Sequence, residues 1–339
     1  MIPPERVRVI ESAGHDPWFN LALEEWLFNS VEPGTLVFYL WRNASTVVIG
    51  RHQNPWTECR VEAMERDGIR LARRPSGGGA VFHDLGNTNF TFTSHRRHYD
   101  QKHQIAIIVD ALARLGVTAE FSGRNDILVD GRKISGSAYF GRKDQWLHHG
   151  TLLIDADLSR LSHYLTVAPA KIKSKGVASV RARVANLVDF VPTLDHQAVR
   201  SALFESVREL YGCDFEIETM DPADHPSSEE LAATVARYTD DTWRFGRTPA
   251  FTHHLEQRFP WGGVDLHLDV KKNEIRDVEI FSDCLSTDLV SDVCAALRGG
   301  AYRREDLAQR IHDSVPADAA YRAEAEDVAA WIAVALPEI

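Results

Sequence analysis

The chain reads as a two-domain protein that mixes strands and helices, and three observations predict this. Its 339 residues suffice for two separate cores. Strand and helix signals alternate irregularly through the first two thirds. After the linker-like run Gly246-Arg247-Thr248-Pro249, a hairpin pattern followed by helices closes the chain. The expected division is residues 1–247 for the larger domain and 255–339 for the smaller. Apolar residues at 44% and charged residues at 26% exclude a disordered or fibrous chain.

The elements follow in order. Asp16-Pro17 reads as a helix N-cap with proline at the first helical position, and Phe19, Leu23, Trp26 and Leu27 then share one face. Residues 35–41 and 46–50 read as strands. A second helix is expected from Asn54-Pro55 to Gly68. The run NFTFT from Asn89 alternates as a half-buried strand does, and a long helix follows from about Gln101 to Leu115, closed by Gly116. In DILVDGRKISGSAYF, residues 126–140, Asp130-Gly131 is a two-residue hairpin turn. Strict alternation along the outgoing strand puts Lys133, Ser135, Ser137 and Tyr139 on one polar face, with Ile134, Ala138 and Phe140 on the other. In the smaller domain GVDLHLDV and IRDVEIF form a hairpin around Lys271 to Glu274, and helices complete it.

Charge narrows the function. With 38 basic and 49 acidic residues the net charge is −11, which argues against a nucleic-acid partner. From Leu255 onward 17 acids face 9 bases, so the smaller domain carries most of that excess. Glu5, Glu11, Asp16, Glu24 and Glu25 interrupt any signal-peptide core, and no apolar run is long enough to span a membrane. Cys59, Cys213, Cys284 and Cys294 form no C-x-x-C pair, so a cytoplasmic protein with reduced thiols is expected.

The most unusual stretch is LARRPSGGGAVFHD, residues 71–84. Three successive glycines are costly in backbone entropy, and they let main-chain N–H groups come close to an anion. Pro75 keeps Arg74 extended, and arginine offers a planar fork for phosphate or carboxylate. A plain glycine hairpin with solvated arginines is the competing reading. Neither GxxxxGK[ST] nor GxGxxG occurs, and GxSxG, HExxH and zinc-spaced cysteine–histidine sets are also missing. His148-His149 and His253-His254 are adjacent pairs, read as packing or surface histidines. The run KIKSKGVASVRARVANL, residues 171–187, carries five cations and no acid. It is either a solvated basic loop or, over residues 171–183, a gate for a bound phosphate.

Taken together, RRPSGGGAVFHDLGNTNFTF, SGRNDILVDGRKISGSAYF, HHGTLL and KGVASVRARVANL resemble the lipoate–protein ligase A family of the biotin/lipoate ligase superfamily. DPWFNLALEE, LWRNASTVVIGRHQNPWTEC and WGGVDLHLDV extend the resemblance over nearly the whole chain. Pro75 departs from the pattern, where relatives carry a small polar residue.

The resemblance implies an α+β fold: a catalytic domain with a mixed sheet flanked by helices, plus a small α/β C-terminal accessory domain. The implied reaction converts lipoate and ATP, with Mg2+, to lipoyl-AMP. The lipoyl group then passes to a lysine of apo lipoyl domains, in E2 subunits of 2-oxoacid dehydrogenases and in the glycine-cleavage H protein. Lys133 is the implied catalytic residue, touching both ATP and lipoate. Arg74, Gly79, Ala80, Val81 and Phe82 are expected to bind ATP. Trp41, Ala22, Ser76, His83 and His149 are candidates to line the lipoate site, and Asp126 is the candidate Mg2+ ligand. A monomer is expected, with neither nucleic acid nor membrane as partner. Octanoyltransferases share the fold but need a nucleophilic cysteine, and none is expected near Lys133. Biotin ligases use an arginine-richer glycine loop, and a non-catalytic sensor would need an output module that is not seen.

Overall fold

The computed structural model describes residues 2–166, 184–223, 228–246, 251–271 and 273–335. It divides into two compact units, Met1–Ile49 with Pro55–Arg74 and Ala80–Arg244, and Gly50–Asn54 with Pro75–Gly79 and Phe245–Ile339. The basic run at 171–183 lies outside the described residues.

In chain order the first strands are β1 (Arg6–Ser12), β2 (Thr35–Trp41), β3 (Thr46–Ile49), β4 (Arg70–Arg73), β5 (Val81–His83) and β6 (Asn87–His95). They continue with β7 (Glu120–Phe121), β8 (Asp126–Val129), β9 (Arg132–Arg142), β10 (Gln145–Leu153) and β11 (Ile217–Met220). Eight of them form one mixed sheet, ordered β11-β1-β2-β6-β10-β9-β8-β7, in which β1 runs parallel to β11 and β2. A small sheet, β4-β3-β5, stands apart from it.

Each face of the large sheet has its own cover. On the back, Phe38, Phe90, Phe92, Ile127 and Ile134 pack with helices α4 (Gln101–Arg114) and α6 (His196–Tyr211) through Ile105, Ile108, Val199 and Leu203. On the front, Val37, Tyr39 and Trp41 pack under helix α1 (Pro17–Ser30) through Phe19, Leu23 and Leu27. Asp16 caps α1 as its sequence predicts, accepting from the N–H groups of Trp18 and Phe19. Helix α4 likewise starts at an Asp100 cap.

Two expectations need correction. The helix expected over 54–68 is broken into α2 (Pro55–Glu58) and α3 (Val61–Arg66). At the break Cys59 bridges to Leu165, and the Arg60 N–H donates to the Tyr164 carbonyl at 2.8 Å. Tertiary backbone bonds beyond helix α5 (Leu158–Tyr164) thus outweigh local helical preference. The second correction concerns β9. The turn is as expected, with Asp130 and Gly131 both at positive φ (50° and 73°), but the register then slips. Leu128 faces Lys133 while Ile127 faces Ser135, which leaves Ile134 as an unopposed bulge residue. Lys133 therefore parts from Ser135 and Ser137 and lies on the opposite face.

Helices α7 (Glu229–Thr239) and α8 (Asp241–Phe245) clasp α1 and β4. Tyr238 donates to Glu25 at 2.6 Å, and Arg237 pairs with the same carboxylate. Arg73 donates to the carbonyls of Trp243 and Arg244, each at 2.8 Å, and the Trp243 indole returns a bond to the Arg73 carbonyl.

In the second unit β12 (His253–Phe259), β13 (Gly262–Lys271) and β14 (Glu274–Ser282) form an antiparallel meander. Helices α9 (Thr287–Leu297), α10 (Arg304–Ser314) and α11 (Arg322–Ala335) close its core on Leu266, Leu268 and Ile280. The hairpin of β13 and β14 is the expected one; β12 adds a strand in front of it. No helix among the described residues is long and apolar enough to cross a membrane.

Candidate active site

The front face of the large sheet brings four of the predicted residues, Trp41, His149, Asp126 and Lys133, into one row by register, whereas His83 lies on the small sheet and Arg74 just after β4. Trp41 faces Asn89, Tyr39 faces Thr91, and Thr91 faces His149 on the next strand. His149 in turn faces Ala138, and Gly136 on that same side faces Asp126. Because Ile134 bulges, Lys133 joins this row instead of the back face, where Ser137 bonds the buried His148.

Around His149 the contacts are short and dry. Its Nδ1 lies 2.8 Å from Oε1 of Glu24, a fully buried residue of α1, and Thr91 donates to the same oxygen at 2.5 Å. The Trp41 indole N–H reaches Thr91 Oγ1 at 3.1 Å, and the Trp41 ring meets the His83 ring edge-on. Ala22 is fully buried in α1. Glu24 and Thr91 were not singled out by sequence. The available signal was that Asn20 and Glu24, one turn apart, interrupt a helix that is otherwise apolar nearly all round.

His83 is buried at the end of β5. Burial first, then the charge of Arg74 and the neighbouring His149, pushes its pKa down to about 3, so the ring is neutral. The Asn43 amide lies 3.2 Å from Nδ1, which leaves the proton on Nε2. That Nε2 is shielded from solvent and has no hydrogen-bond partner among the described residues. A buried donor of this kind is suited to an incoming anionic or carbonyl oxygen.

Arg74 is also buried. Its backbone N–H donates to the Ile49 carbonyl at 3.0 Å, and its guanidinium contacts the Val48 carbonyl. Burial lowers its pKa to about 10, with Glu24 pulling the other way, so it keeps its charge at neutral pH. The glycine run follows it. Arg74, Ala80, Val81 and Phe82 belong to the first unit, while Ser76 and Gly79 belong to the second. Gly78 takes φ 92° and donates its N–H to the Cys284 carbonyl at 2.8 Å. A Cβ on Gly77 would come within 2.3 Å of that carbonyl oxygen, whereas Gly79 has open space. Of the three glycines, then, two serve close backbone packing, and the Gly78 N–H expected to be available to an anion is engaged.

Lys133 is about one-third exposed, and its Nζ pairs with Asp126 Oδ1 at 2.7 Å. A Cβ on Gly136 would sit 2.7 Å from Nζ, so glycine there leaves the channel in which the lysine lies. The backbone of Lys133 is fixed from the other side by the Ala185 N–H, at 2.9 Å. The cysteines are poor nucleophiles. Burial pushes the thiols of Cys59 and Cys294 up to about 12 and raises those of Cys213 and Cys284.

A large mixed sheet carrying Lys133 and His149 on its front face, together with a small sheet whose strands end near the buried Arg74 and His83, defines a class. The family described as "Lipoyl protein ligase A/B catalytic domain" matches residues 16–208, and "Bacterial lipoate protein ligase C-terminus" matches 248–332. Lipoate-protein ligase A of Psychrobacter cryohalolentis is 47% identical over 332 residues, which is 96% of this chain and 98% of that protein. The crystal structure of P. falciparum LipL1 in complex with lipoate superposes with a TM-score of 0.86 at 30% identity, covering 97% of this chain and 99% of that one. The crystal structure of lipoate-protein ligase A bound with ATP gives 0.59 at 29% identity, over 72% and 99%. The chain belongs to the lipoate–protein ligase A family. Its activity is lipoate activation and transfer to lipoyl domains.

Proposed function

We propose that lipoate and ATP meet on the front face of the large sheet, and that the product lipoyl-AMP yields its acyl group to the acceptor lysine of apo lipoyl domains in E2 subunits and in H protein. The observation that carries this reading is the bulge at Ile134, which turns Lys133 toward the side of Trp41 and His149. Both reactants are anions. A carboxylate can approach an α-phosphate only if fixed positive charge offsets their repulsion and the charge developing on phosphorus. Lys133 takes that role, leaving its pairing with Asp126 for the two substrates. Arg74 holds ATP, and Gly79, Ala80, Val81 and Phe82 form the nucleotide wall. Trp41 and Ala22 line the aliphatic tail of lipoate, while Ser76, His83 and His149 contact its polar end.

Asp126 would hold a Mg2+ ion brought with ATP, which would supply further positive charge against the anionic reactants. The site fits the ion's habits: a single carboxylate, Asp126, is a sufficient protein ligand where substrate phosphates and water complete the shell. We further propose that the protein acts as a monomer in the cytoplasm, in keeping with four cysteines that are all free thiols.

The test is intact-mass analysis of an apo lipoyl domain incubated with the chain, Mg-ATP and lipoate. One lipoyl group per acceptor is expected, with none when ATP is omitted. Transfer without ATP, or an acyl-thioester on one of the cysteines that is required for turnover, would overturn the ligase reading in favour of a transferase.

A further inference from the structure

We propose that the outer face of the second unit's sheet is a binding site for a divalent transition-metal ion, with His254, Asp265 and His267 as its ligands. Sequence spacing does not reveal the trio, because His254 lies on β12 and the other two on β13. The meander assembles it: His254 faces His267 directly, and Asp265 lies two residues from His267, on the same side of its strand.

The geometry converges on one point. His254 Nε2 lies 2.6 Å from Asp265 Oδ1, in hydrogen-bond geometry. His267 Nε2 lies 2.7 Å from that same oxygen, yet it is shielded from solvent and makes no hydrogen bond among the described residues. The two imidazoles stack with centroids 4.6 Å apart and planes 25° apart. Phe281 meets the His267 ring edge-on and Phe251 packs beside it, which fixes its direction. Two ring nitrogens aimed at one carboxylate oxygen compete for it when each carries a proton. A cation accepting both lone pairs and the carboxylate removes that competition. Metal–ligand bonds of about 2.0–2.2 Å place neighbouring ligand atoms roughly 3 Å apart. His254, with its side chain 55% exposed, is free to move outward by the small amount needed.

The ligand chemistry selects the ion. Two imidazoles and one carboxylate suit Zn2+, Co2+ or Ni2+ rather than Mg2+, which prefers oxygen alone. Glu256 stands opposite Asp265, and Glu279 opposite His267, so two further acids on this face favour a cation. Three protein ligands leave the remaining positions to water. His253 provides an internal control: its Nδ1 lies 2.9 Å from the Thr252 hydroxyl and its ring packs on Tyr302, on the other side of the strand.

The experiment titrates Co2+ into the metal-stripped full-length chain and follows its visible absorption, with Zn2+ as competitor. About one Co2+ per chain is expected, displaced by Zn2+, with a rise in thermal midpoint. His254→Ala removes an exposed side chain and Asp265→Asn keeps its shape, so both variants should fold; each is expected to weaken Co2+ binding by more than about 100-fold. His253→Ala should bind as the parent does. A parent chain that takes up neither Co2+ nor Zn2+ in equilibrium dialysis would overturn the site. So would unchanged binding in the His254→Ala and Asp265→Asn variants, or a loss of binding in His253→Ala alone.

Discussion

Two faces of one sheet, built by the same strands, have opposite chemistry. His148 and His149 show it most directly, since they are consecutive and both buried. His148 points back, bonded at 3.0 Å to both Gln104 and Ser137 and stacked on Phe92 and Tyr139. His149 points forward to the Glu24 carboxylate. Alternation assigns such neighbours to opposite sides without further instruction. Burial alone does not tell the two apart. What separates the faces at these positions is charge: the back joins aromatic and aliphatic side chains to neutral polar ones such as Gln104 and Ser137, while Glu24 and Lys133 sit forward. For Lys133 that placement depends on one unopposed residue in the ladder.

The largest effect should come from Lys133→Ala, which removes the front-face ammonium. Lipoate-dependent pyrophosphate release is expected to drop on the order of 10²–10³-fold, about 3–4 kcal/mol, with the thermal midpoint unchanged. Near-normal release from a folded variant would separate the bulge from the chemistry. On the other face Phe92→Ala should cost about 3–5 kcal/mol of stability in urea melts and leave the KM for lipoate unchanged in the folded fraction. A selective KM effect would mean that the faces are not independent.

Acid should weaken the fold through two buried histidines, His148 on the back of the large sheet and His83 on β5 of the small sheet. His83 and His148 are held neutral, with pKa values near 3 against an ordinary 6.5. Below 6.5 the unfolded chain takes up protons that the folded one refuses, so stability present above that pH is lost as it falls toward 3. Each histidine contributes a slope of up to about 1.4 kcal/mol per pH unit. His148→Gln should remove one share of that slope between pH 6 and 4 in chemical denaturation. An unaltered slope would show that His148 is protonated in the folded chain.

The smallest expected effect is that of Gly136→Ala. Its methyl would meet Lys133 Nζ, the far end of a flexible side chain, so the lysine yields instead of the backbone. Roughly a tenfold loss of adenylation, about 1.4 kcal/mol, with little change in stability is expected from displacing one charge. A stability loss matching the activity loss would instead point to a packing role.

Much of this arrangement was legible in the chain. The Asp16 cap, the Gly116 stop after the helix from Gln101 and the Asp130-Gly131 turn are local signals that act within a few residues, and helix or hairpin formation follows from them. The Ile134 bulge was not legible, because a periodic pattern carries no mark of which residue a partner strand will skip. The break at Cys59 was hidden for a similar reason: its cause is a backbone bond to Tyr164, far along the chain. In the sequence Glu24 reads only as an acid that interrupts an apolar run, and its burial follows from α1 being covered on nearly every side. His254 reads there only as the neighbour of His253, because its proximity to His267 arises across strands, not along one.

The clasp of α7 and α8 bears on how this enzyme can be cut. The catalytic family match ends at residue 208, and a protein trimmed there keeps every residue of that match. It would lose β11, exposing the free edge of β1 as a template for unwanted strand pairing. Glu25 would lose Tyr238 and Arg237 and be left as a carboxylate in an apolar setting, and the Arg73 guanidinium would lose the carbonyls of Trp243 and Arg244. For Glu25, a buried carboxylate stripped of both partners costs several kcal/mol. Likeness to relatives marks where a family pattern fades, whereas autonomy requires that every buried charge travel with its partner. The shortest independently folding fragment should therefore begin before β1 and extend past Arg244.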